Sequence, residues 1–405
     1  MPRNETQWKN APSLQSREYV SSEIYNNETI FAEEIEKIHR RTWKFVCHES
    51  EVPLAGDYRT IDHTGVPLVV IRGEDGEIRT FINACSHRGA LVARGLSGNA
   101  KKLICFFHLW AYDTKGNCVE MTRPEGFEKC GLSKADTGLR QVRTETRLGL
   151  VFVNLDDKAM SLSDYLGDAL EWFEEPMGTV PLEVFHYNRG MQNANWKQWH
   201  ETNMELYHEW GHVVNRTTSV AAKGYHERLW RIYPNGHGSL EPLRVQYKNY
   251  KGWENRDDQL LPGLTSGEFR VLDIFPNTTI IIRATTIRID TSTPIAPGKT
   301  LVEHRGLGVL GEPQNVRADR QKQHNQFWGP FGRNLSEDVI FVESVNRGIA
   351  DGGMPYGLFC RHENMMSQDD EIMRAYYDVW GEHMGRQASN PLNAKRAAKL
   401  VRQGA

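Results

Sequence analysis

Apolar and polar residues are spaced differently in successive stretches of the chain. Residues 31–44 carry apolar side chains at helical spacing and predict an amphipathic helix. Between about 45 and 160, short apolar strands alternate with glycine-rich loops. The clearest hairpin there joins 66–72 to 78–82 through an Asp-Gly turn. We therefore expect a helix followed by a small domain of β-strands.

The rest of the chain mixes the two periodicities. A helix that opens at Leu162 is expected to end before Pro176. Apolar strand patterns, spaced as in an antiparallel meander, occur at 269–275, 279–289 and 301–310. Helical patterns follow at 313–328, 334–347 and 369–385. Strands and helices are thus segregated along the sequence, which is typical of the α+β class.

These elements predict an α+β fold in three parts. An N-terminal arm and helix, residues 1–44, is expected to pack on the largest domain. Residues 45–160 form a small all-β domain, and residues 161–405 form the largest domain.

Residues 195–215 predict one further helix, since they contain no proline. On a continuous helix Glu205, His208 and His212 lie at i, i+3 and i+7, so a carboxylate and two imidazoles share one face. Two metal enzymes fit this face. One is a zinc hydrolase, because the segment matches H-E-x-x-H with Glu209 as general base. The other is a non-haem iron oxygenase, in which two histidines and a distant carboxylate bind Fe(II).

Composition and charge exclude several classes of protein. The chain has 405 residues and a net charge of −3, which gives no basic footprint for nucleic acid. It lacks an apolar run of the roughly 18–20 residues that a membrane span needs. Its first residues lack the apolar core of a secretory signal. Six cysteines are too few for a disulfide scaffold of this length, so we expect a cytoplasmic protein whose thiols are available to metals.

Two short motifs within the β domain pair a cysteine with a histidine. They are Cys85-x-His87 and Cys105-x-x-His108, with 17 residues between them. Four such ligands could hold a tetrahedral zinc ion, but zinc fingers usually place their two thiolates together. Alternating thiolate and imidazole suits a Rieske [2Fe-2S] cluster, where one iron takes both cysteines and the other takes both histidines.

The two cysteine–histidine motifs favour the iron oxygenase over the zinc hydrolase. A zinc hydrolase has no use for the four Cys and His residues of the β domain, and it remains a distant alternative. A Rieske electron carrier would leave everything after residue 160 without a role. A structural Cys₂His₂ zinc site in an interaction protein is the remaining alternative.

With both signatures, the chain resembles the large (α) subunit of the Rieske non-haem iron aromatic ring-hydroxylating oxygenases. The resemblance covers most of the chain. Besides the cysteine and histidine pairs, it rests on Leu162-Ser163-Asp164-Tyr165-Leu166, Asn195-Trp196-Lys197, Tyr207-His208, Leu335-Ser336-Glu337-Asp338 and Asn346-Arg347-Gly348.

The resemblance implies which residues hold the metals. The Rieske cluster would be bound by Cys85, His87, Cys105 and His108. The mononuclear Fe(II) would be bound by His208, His212 and Asp338, the last of which follows 126 residues after His212. Glu337 and Glu343 compete with Asp338 for the third position.

The resemblance also implies an assembly and a fold. Glu205 would bridge His208 to His108 of a neighbouring subunit, within a head-to-tail homotrimer of α subunits (α₃, or α₃β₃ with a small β subunit). A curved antiparallel sheet would grip a long helix in the catalytic domain. The chain departs from the family at Glu205, where aspartate is usual, at the short spacing of the two iron histidines, and at Leu109, where Gly or Ala is common.

The expected activity is that of a terminal oxygenase that uses O₂ and electrons from NAD(P)H. No nicotinamide or flavin motif is visible, so a separate reductase, with or without a ferredoxin, is expected to supply the electrons. We expect hydroxylation of an aromatic acid or related aromatic compound; the alternative is a small sulfonate or amine. Mono- and dioxygenation both stay open. Candidate cations for an anionic substrate are Arg216, Lys223, Arg270, Arg283 and Arg288.

Overall fold

Two seven-stranded antiparallel sheets organise the molecule. The computed structural model describes residues 12–213, 224, 226–244, 259–350 and 353–392. Within these residues, no helix is long and apolar enough to cross a membrane. The α+β class predicted from the sequence is confirmed.

The N-terminal sheet contains the predicted hairpin and carries a small sheet beside it. In spatial order its strands are Lys44–His48, Leu150–Asn154, Gln141–Arg147, Ile78–Ile82, Val66–Arg72, Asp57–His63 and Ser97–Asn99. The small sheet consists of Leu103–Ile104, Ala111–Tyr112 and Cys118–Glu120. Short 3₁₀ helices lie between these strands at Glu49–Glu51, Pro124–Cys130 and Lys134–Asp136.

The C-terminal sheet is the predicted meander, extended at both edges. In spatial order its strands are Leu182–Gln192, Lys299–Val309, Thr286–Ala296, Thr278–Arg283, Glu268–Ile274, Gly238–Arg244 and Trp230–Ile232. The prediction of one strand over 279–289 is wrong, because the chain reverses at Ala284-Thr285. That turn contains neither glycine nor asparagine, so the usual hairpin signal is missing.

Eight α-helices lie in the described residues. They are Glu23–Asn26, Glu28–Glu34, Leu162–Leu166, Glu174–Gly178, Trp196–Met204, Gln314–Trp328, Leu335–Ile349 and Glu371–Met384. The last three agree with the sequence prediction. The predicted helix 31–44 ends early, through a π-helical turn at Ile35–His39, because Lys44 already begins a strand. The helix that opens at Leu162 is two short helices, and Pro176 lies inside the second.

The two faces of the C-terminal sheet have different partners. One face buries Ile280, Ile282 and Ile287 against Phe45 and Phe152 of the N-terminal sheet. The other face curves around the helix Trp196–Met204, called the site helix below, and the final helix Glu371–Met384. This is the helix-grip arrangement that the resemblance implied. The predicted domain boundaries at 44/45 and 160/161 stay predictions.

A buried carboxylate fixes the site helix in the core. Glu34 is fully buried and accepts hydrogen bonds from Trp196 Nε1 at 2.9 Å, Lys197 Nζ at 2.8 Å and Trp380 Nε1 at 2.7 Å. Three helices therefore meet at one charge whose hydrogen bonds are satisfied. Asn195 caps the helix by accepting from the Lys197 amide, so its first turn has a defined position.

Candidate metal centres

The two cysteine–histidine motifs form loops with the same backbone hydrogen bonds. In each loop the cysteine amide donates to the carbonyl five residues on, at 2.8 Å. The amide four residues on donates back to the cysteine carbonyl, at 2.8 Å for Cys85 and 2.9 Å for Cys105. That fourth residue has a positive φ in both loops, 76° at Gly89 and 59° at Leu109. The unusual residue Leu109 thus occupies a backbone conformation that favours glycine.

These loops bring all four side chains of the motifs to one place. His87 Nδ1 lies 3.1 Å from His108 Nδ1, and both rings are partly exposed. Cys85 and Cys105 are buried beneath them, and burial raises the pKa of the Cys85 thiol. Tyr112 Oη lies 3.0 Å from Cys85 Sγ. Thiols inside and imidazoles outside are the donor arrangement that a Rieske cluster requires. Tyr112 was not among the predicted site residues, although it closely follows the second motif.

The helix predicted over 195–215 is not continuous. The site helix Trp196–Met204 stops before Glu205, whose backbone is extended (φ −127°, ψ 132°), and a 3₁₀ turn follows at Tyr207–Gly211. The Glu205 carboxylate accepts a hydrogen bond from the His208 amide at 2.9 Å, where a helix would offer a carbonyl. The helical face that the H-E-x-x-H interpretation needs is therefore absent here. Residues 214 and 215 lie outside the described part of the chain.

His208 and His212 nevertheless converge on Asp338. One ligand atom from each of the three lies within 4.8 Å of the others. Asp338 Oδ1 is 3.6 Å from His208 Nε2 and 3.3 Å from His212 Nε2. Burial alone would raise the pKa of Asp338, but the two histidine rings that face its carboxylate lower it overall. Asp338 Oδ1 is buried without a hydrogen-bond partner, as suits an oxygen that binds a metal ion.

Three other carboxylates near this group have different contacts. Glu205 Oε1 is 2.8 Å from His208 Nδ1, and Glu337 Oε2 is 2.6 Å from His212 Nδ1. Glu343 accepts from the backbone amide of Asn193 at 2.8 Å instead. Of the three candidates for the third ligand, only Asp338 faces the Nε2 atoms of both histidines.

Comparison with known proteins identifies the family. Residues 42–132 match the family described as Rieske [2Fe-2S] domain. Residues 178–385, just over half of the chain, match the family described as ring hydroxylating alpha subunit (catalytic domain). The chain belongs to the ring-hydroxylating oxygenase α subunits.

Full-length relatives support the assignment. The oxygenase is 46% identical to the 2-aminobenzenesulfonate 2,3-dioxygenase subunit alpha of Alcaligenes sp., over 96% of this chain and 99% of the relative. It is 39% identical to the methanesulfonate monooxygenase hydroxylase subunit alpha of Methylosulfonomonas methylovora, over 96% of each chain. Its fold matches naphthalene 1,2-dioxygenase from Rhodococcus sp. bound to indole, with a TM-score of 0.79 and 23% identity over 90% and 94% of the two chains.

Membership of this family confirms the predicted chemistry. The oxygenase is a Rieske-type mono- or dioxygenase, the terminal component of a multicomponent system. It uses a Rieske [2Fe-2S] cluster and a mononuclear non-haem iron. Such α subunits receive electrons from partner proteins and form multimers. The interpretations as a zinc hydrolase, a lone electron carrier and a structural zinc protein are wrong.

A cavity opens beside the group of His208, His212 and Asp338. Apolar side chains form one part of its wall: Leu206, Phe269, Val271, Ile281 and Trp328. Polar side chains form another part: Thr202, Asn203, Arg283, Arg288 and Asn334. Most of these residues come from separate strands and helices, so no local spacing in the sequence marks them.

Two of the five candidate cations line this cavity. Arg288 is buried, pairs with Asp290 at 2.5 Å and donates to Asn203 Oδ1 at 3.2 Å. The Arg283 guanidinium lies 4.8 Å from the ring centroid of Phe269 and 5.6 Å from that of Trp328. Arginine stacked on aromatic rings beside apolar walls suits a ligand with both an anionic group and an apolar part.

Of the other three candidate cations, the structure describes only Arg270, which is not among the residues lining the cavity. Arg270 donates to Glu268 and to the backbone carbonyl of Trp172. Arg216 and Lys223 lie outside the described residues.

Proposed function

We propose that this oxygenase hydroxylates an organic sulfonate, and that this sulfonate is an aromatic one. The observation that carries the proposal is that Arg283 and Arg288 line the same cavity as the candidate iron ligands. Phe269 and Trp328 provide aromatic wall on which a ring can pack. The relatives at 46% and 39% identity are, by name, enzymes of 2-aminobenzenesulfonate and methanesulfonate.

The proposal assigns a role to each site residue. Cys85, His87, Cys105 and His108 would hold the cluster, and His208, His212 and Asp338 would hold the iron beside the cavity. When bound, these groups supply single-electron relay and O₂ activation. The protein's own contribution is orientation: the arginines hold the anionic end of the substrate, and the apolar wall excludes water and directs a carbon toward the iron.

The proposed assembly follows the same assignment. Glu205 links His208 to His108 of a neighbouring subunit, because Glu205 already contacts His208 Nδ1 and stands beside exposed residues such as Tyr207. Around the cluster, Phe106 and Phe107 are also exposed. An α₃ or α₃β₃ trimer, a reductase with or without a ferredoxin, and a cytoplasmic location complete the proposal, together with the three-part division 1–44, 45–160 and 161–405.

An aromatic carboxylate is the second candidate, since the same two arginines would bind it. The carboxylate presents two oxygens in a plane and the sulfonate three in a tetrahedron, so the arrangement of donors discriminates between them.

Calorimetry on the anaerobic, reduced holoprotein tests the proposal. We expect 2-aminobenzenesulfonate or benzenesulfonate to bind more tightly than benzoate and methanesulfonate. Arg288→Met should weaken sulfonate binding by about 10-fold or more, as the loss of a charged hydrogen bond predicts. Tighter binding of benzoate would show that the substrate is a carboxylate and not a sulfonate. Wild-type affinity for the sulfonate in both Arg288→Met and Arg283→Met would show that the two arginines do not bind the anionic group.

Metal analysis tests the site assignment separately. The holoprotein should contain three irons and two acid-labile sulfides per chain, with a Rieske-type EPR signal after reduction. A ratio of two irons to two sulfides in all preparations, despite added Fe(II), would contradict the proposed iron ligands.

A further inference from the structure

The two histidines beside Asp338 are held in the same way by two glutamates. Glu205 contacts His208 Nδ1 at 2.8 Å and accepts from a backbone amide, that of His208 itself, at 2.9 Å. Glu337 contacts His212 Nδ1 at 2.6 Å and accepts from the Val213 amide at 3.2 Å. Each carboxylate thus fixes both an imidazole ring and the backbone next to it.

The position of Glu337 excludes it as a direct ligand of the same metal ion. His212 directs Nε2 toward Asp338 at 3.3 Å and Nδ1 toward Glu337 at 2.6 Å. The two ring nitrogens point away from each other, so a carboxylate on Nδ1 lies on the far side of the ring from a metal on Nε2. A carboxylate there forces the proton onto Nδ1 and leaves the Nε2 lone pair free to bind a metal.

Glu337 also connects the ligands to one another. Glu337 and Asp338 are consecutive in the first turn of the helix Leu335–Ile349. The positive end of the helix dipole favours both charges at that place. Any shift of this helix therefore moves Asp338 and, through Glu337, His212 together. His208 is attached instead to Glu205, outside that helix.

We propose that Glu337 is a positioning residue for the iron site. It makes His212 and Asp338 a preassembled half of the site, and the pair of Glu205 and His208 forms the other half. The proposal rests on the assignment of His212 and Asp338 as iron ligands. Glu337 has no path to the cluster in this scheme, so its loss affects iron binding alone, whereas the loss of Glu205 affects both the orientation of His208 and electron transfer.

Fe(II) binding by variants of the full-length protein tests the proposal. The mononuclear iron is removed with a mild chelator, the cluster is retained, and Fe(II) is titrated back anaerobically. Glu337→Ala should raise the Kd for Fe(II) by about 10- to 100-fold, the usual loss for a carboxylate behind a metal-binding histidine. Glu337→Gln keeps an acceptor for the Nδ1 proton and should lose less.

The matched control is Glu343→Gln, on the same helix. Its carboxylate contacts Asn193 and not a histidine, so the Kd for Fe(II) should stay within about twofold of wild type. Two sulfides per chain in every variant show that the cluster is retained, and an unchanged thermal midpoint of unfolding shows that the rest of the protein has kept its fold. As a spectroscopic readout, the EPR signal of Fe(II) with nitric oxide should broaden in Glu337→Ala and recover in Glu337→Gln.

His212→Ala separates failure of this proposal from failure of the ligand assignment. If His212→Ala binds Fe(II) as wild type does, the ligand assignment is wrong. If His212→Ala loses Fe(II) but both Glu337 variants bind it with wild-type Kd and EPR signal, only the positioning role is wrong. If Glu337→Ala does not accumulate, the Kd of Glu337→Gln decides: a value within about twofold of wild type, as for Glu343→Gln, overturns the proposal.

Discussion

The cluster loops and the iron site hold similar side chains by different means. In the loops, backbone hydrogen bonds of 2.8–2.9 Å within six residues set the position of each cysteine. At the proposed iron site, His208 lies in a 3₁₀ turn, His212 directly follows that turn, and Asp338 comes from a separate helix. There the rings are oriented by carboxylates on their outer nitrogens.

This difference separates a local site from a tertiary one. Each cluster loop is defined by its own backbone, and only the distance between the two loops depends on the rest of the fold. The proposed iron site forms only when the 335–349 helix packs against the 3₁₀ turn, where the ring centroid of Phe341 lies 5.7 Å from that of His212. Changes in the loops should therefore act on one metal group, and changes in distant packing should act on the other.

The largest expected effect is that of Cys105→Ala. Because both thiolates bind one iron, its loss should abolish the cluster, with sulfide below about a tenth of the wild-type content. The mononuclear iron should still bind, since no group near it has changed. Sulfide and iron analysis of the same sample measures both results. Loss of both metals together would show that the two sites are not independent.

Asp338→Ala is the opposite experiment. It should remove the mononuclear iron, leave two sulfides per chain and abolish hydroxylation, because two histidines alone are a poor Fe(II) site. The cluster should still be reduced and give its EPR signal. Wild-type iron content in this variant would show that another carboxylate is the third iron ligand.

Glu205→Gln tests the proposed link between the sites. Both metals should remain bound at saturating Fe(II), because glutamine still offers His208 Nδ1 an acceptor, while turnover should fall by about 10- to 100-fold. Rapid mixing of the reduced protein with O₂ and substrate should show slow oxidation of the cluster. Glu209→Gln, four residues away, is expected to lose less turnover. Equal losses of turnover in the two variants would show that Glu205 does not bridge the two metal sites.

The comparison also explains what the sequence could predict. The cluster motifs were readable because each pair of ligands is separated by only one or two residues and the loops need little else. His208 and His212 were found through a helical periodicity that the structure does not have: the helix ends at Met204. Their convergence comes from a 3₁₀ turn and from Glu205, so the candidates were found for a reason that was partly wrong.

Tertiary contacts set the rest of the site, and they leave little trace in the sequence. Asp338 was named from the family resemblance, and nothing in its neighbourhood distinguished it from Glu337. The role of Glu337 depends on a contact between residues 125 positions apart. The sequence did not distinguish Arg283 and Arg288 from the other three candidate cations. Alternation along a strand shows which residues share a face, but not which face lines the cavity.

Gly211→Ala should damage the iron site without touching a ligand. A Cβ at Gly211 would lie 2.7 Å from Phe341 Cζ, so the ring must move and the 3₁₀ turn with it. Overpacking of this kind costs about 1–3 kcal/mol, which we expect as a rise in the Kd for Fe(II) of several fold or more. Sulfide content should not change. Gly211→Ala with Phe341→Leu should recover part of the affinity, and no recovery would mean that the clash is not the cause.

The smallest effect should come from substitutions at Gly89 and Leu109, the equivalent positions of the two cluster loops. Leu109 is 60% exposed and has a φ of 59°, a conformation that costs an L-residue about 1–2 kcal/mol and glycine nothing. Glycine also makes the unfolded chain more flexible, and the extra entropy lost on folding offsets part of this gain. Leu109→Gly should therefore stabilise the loop by up to about 1 kcal/mol. Gly89→Ala should destabilise the other loop by a similar amount through its backbone alone, since a Cβ there meets no atom within 4 Å. The thermal midpoint for bleaching of the cluster absorbance should shift by a few degrees in opposite directions. Shifts in the same direction would show that the loops differ in more than this residue.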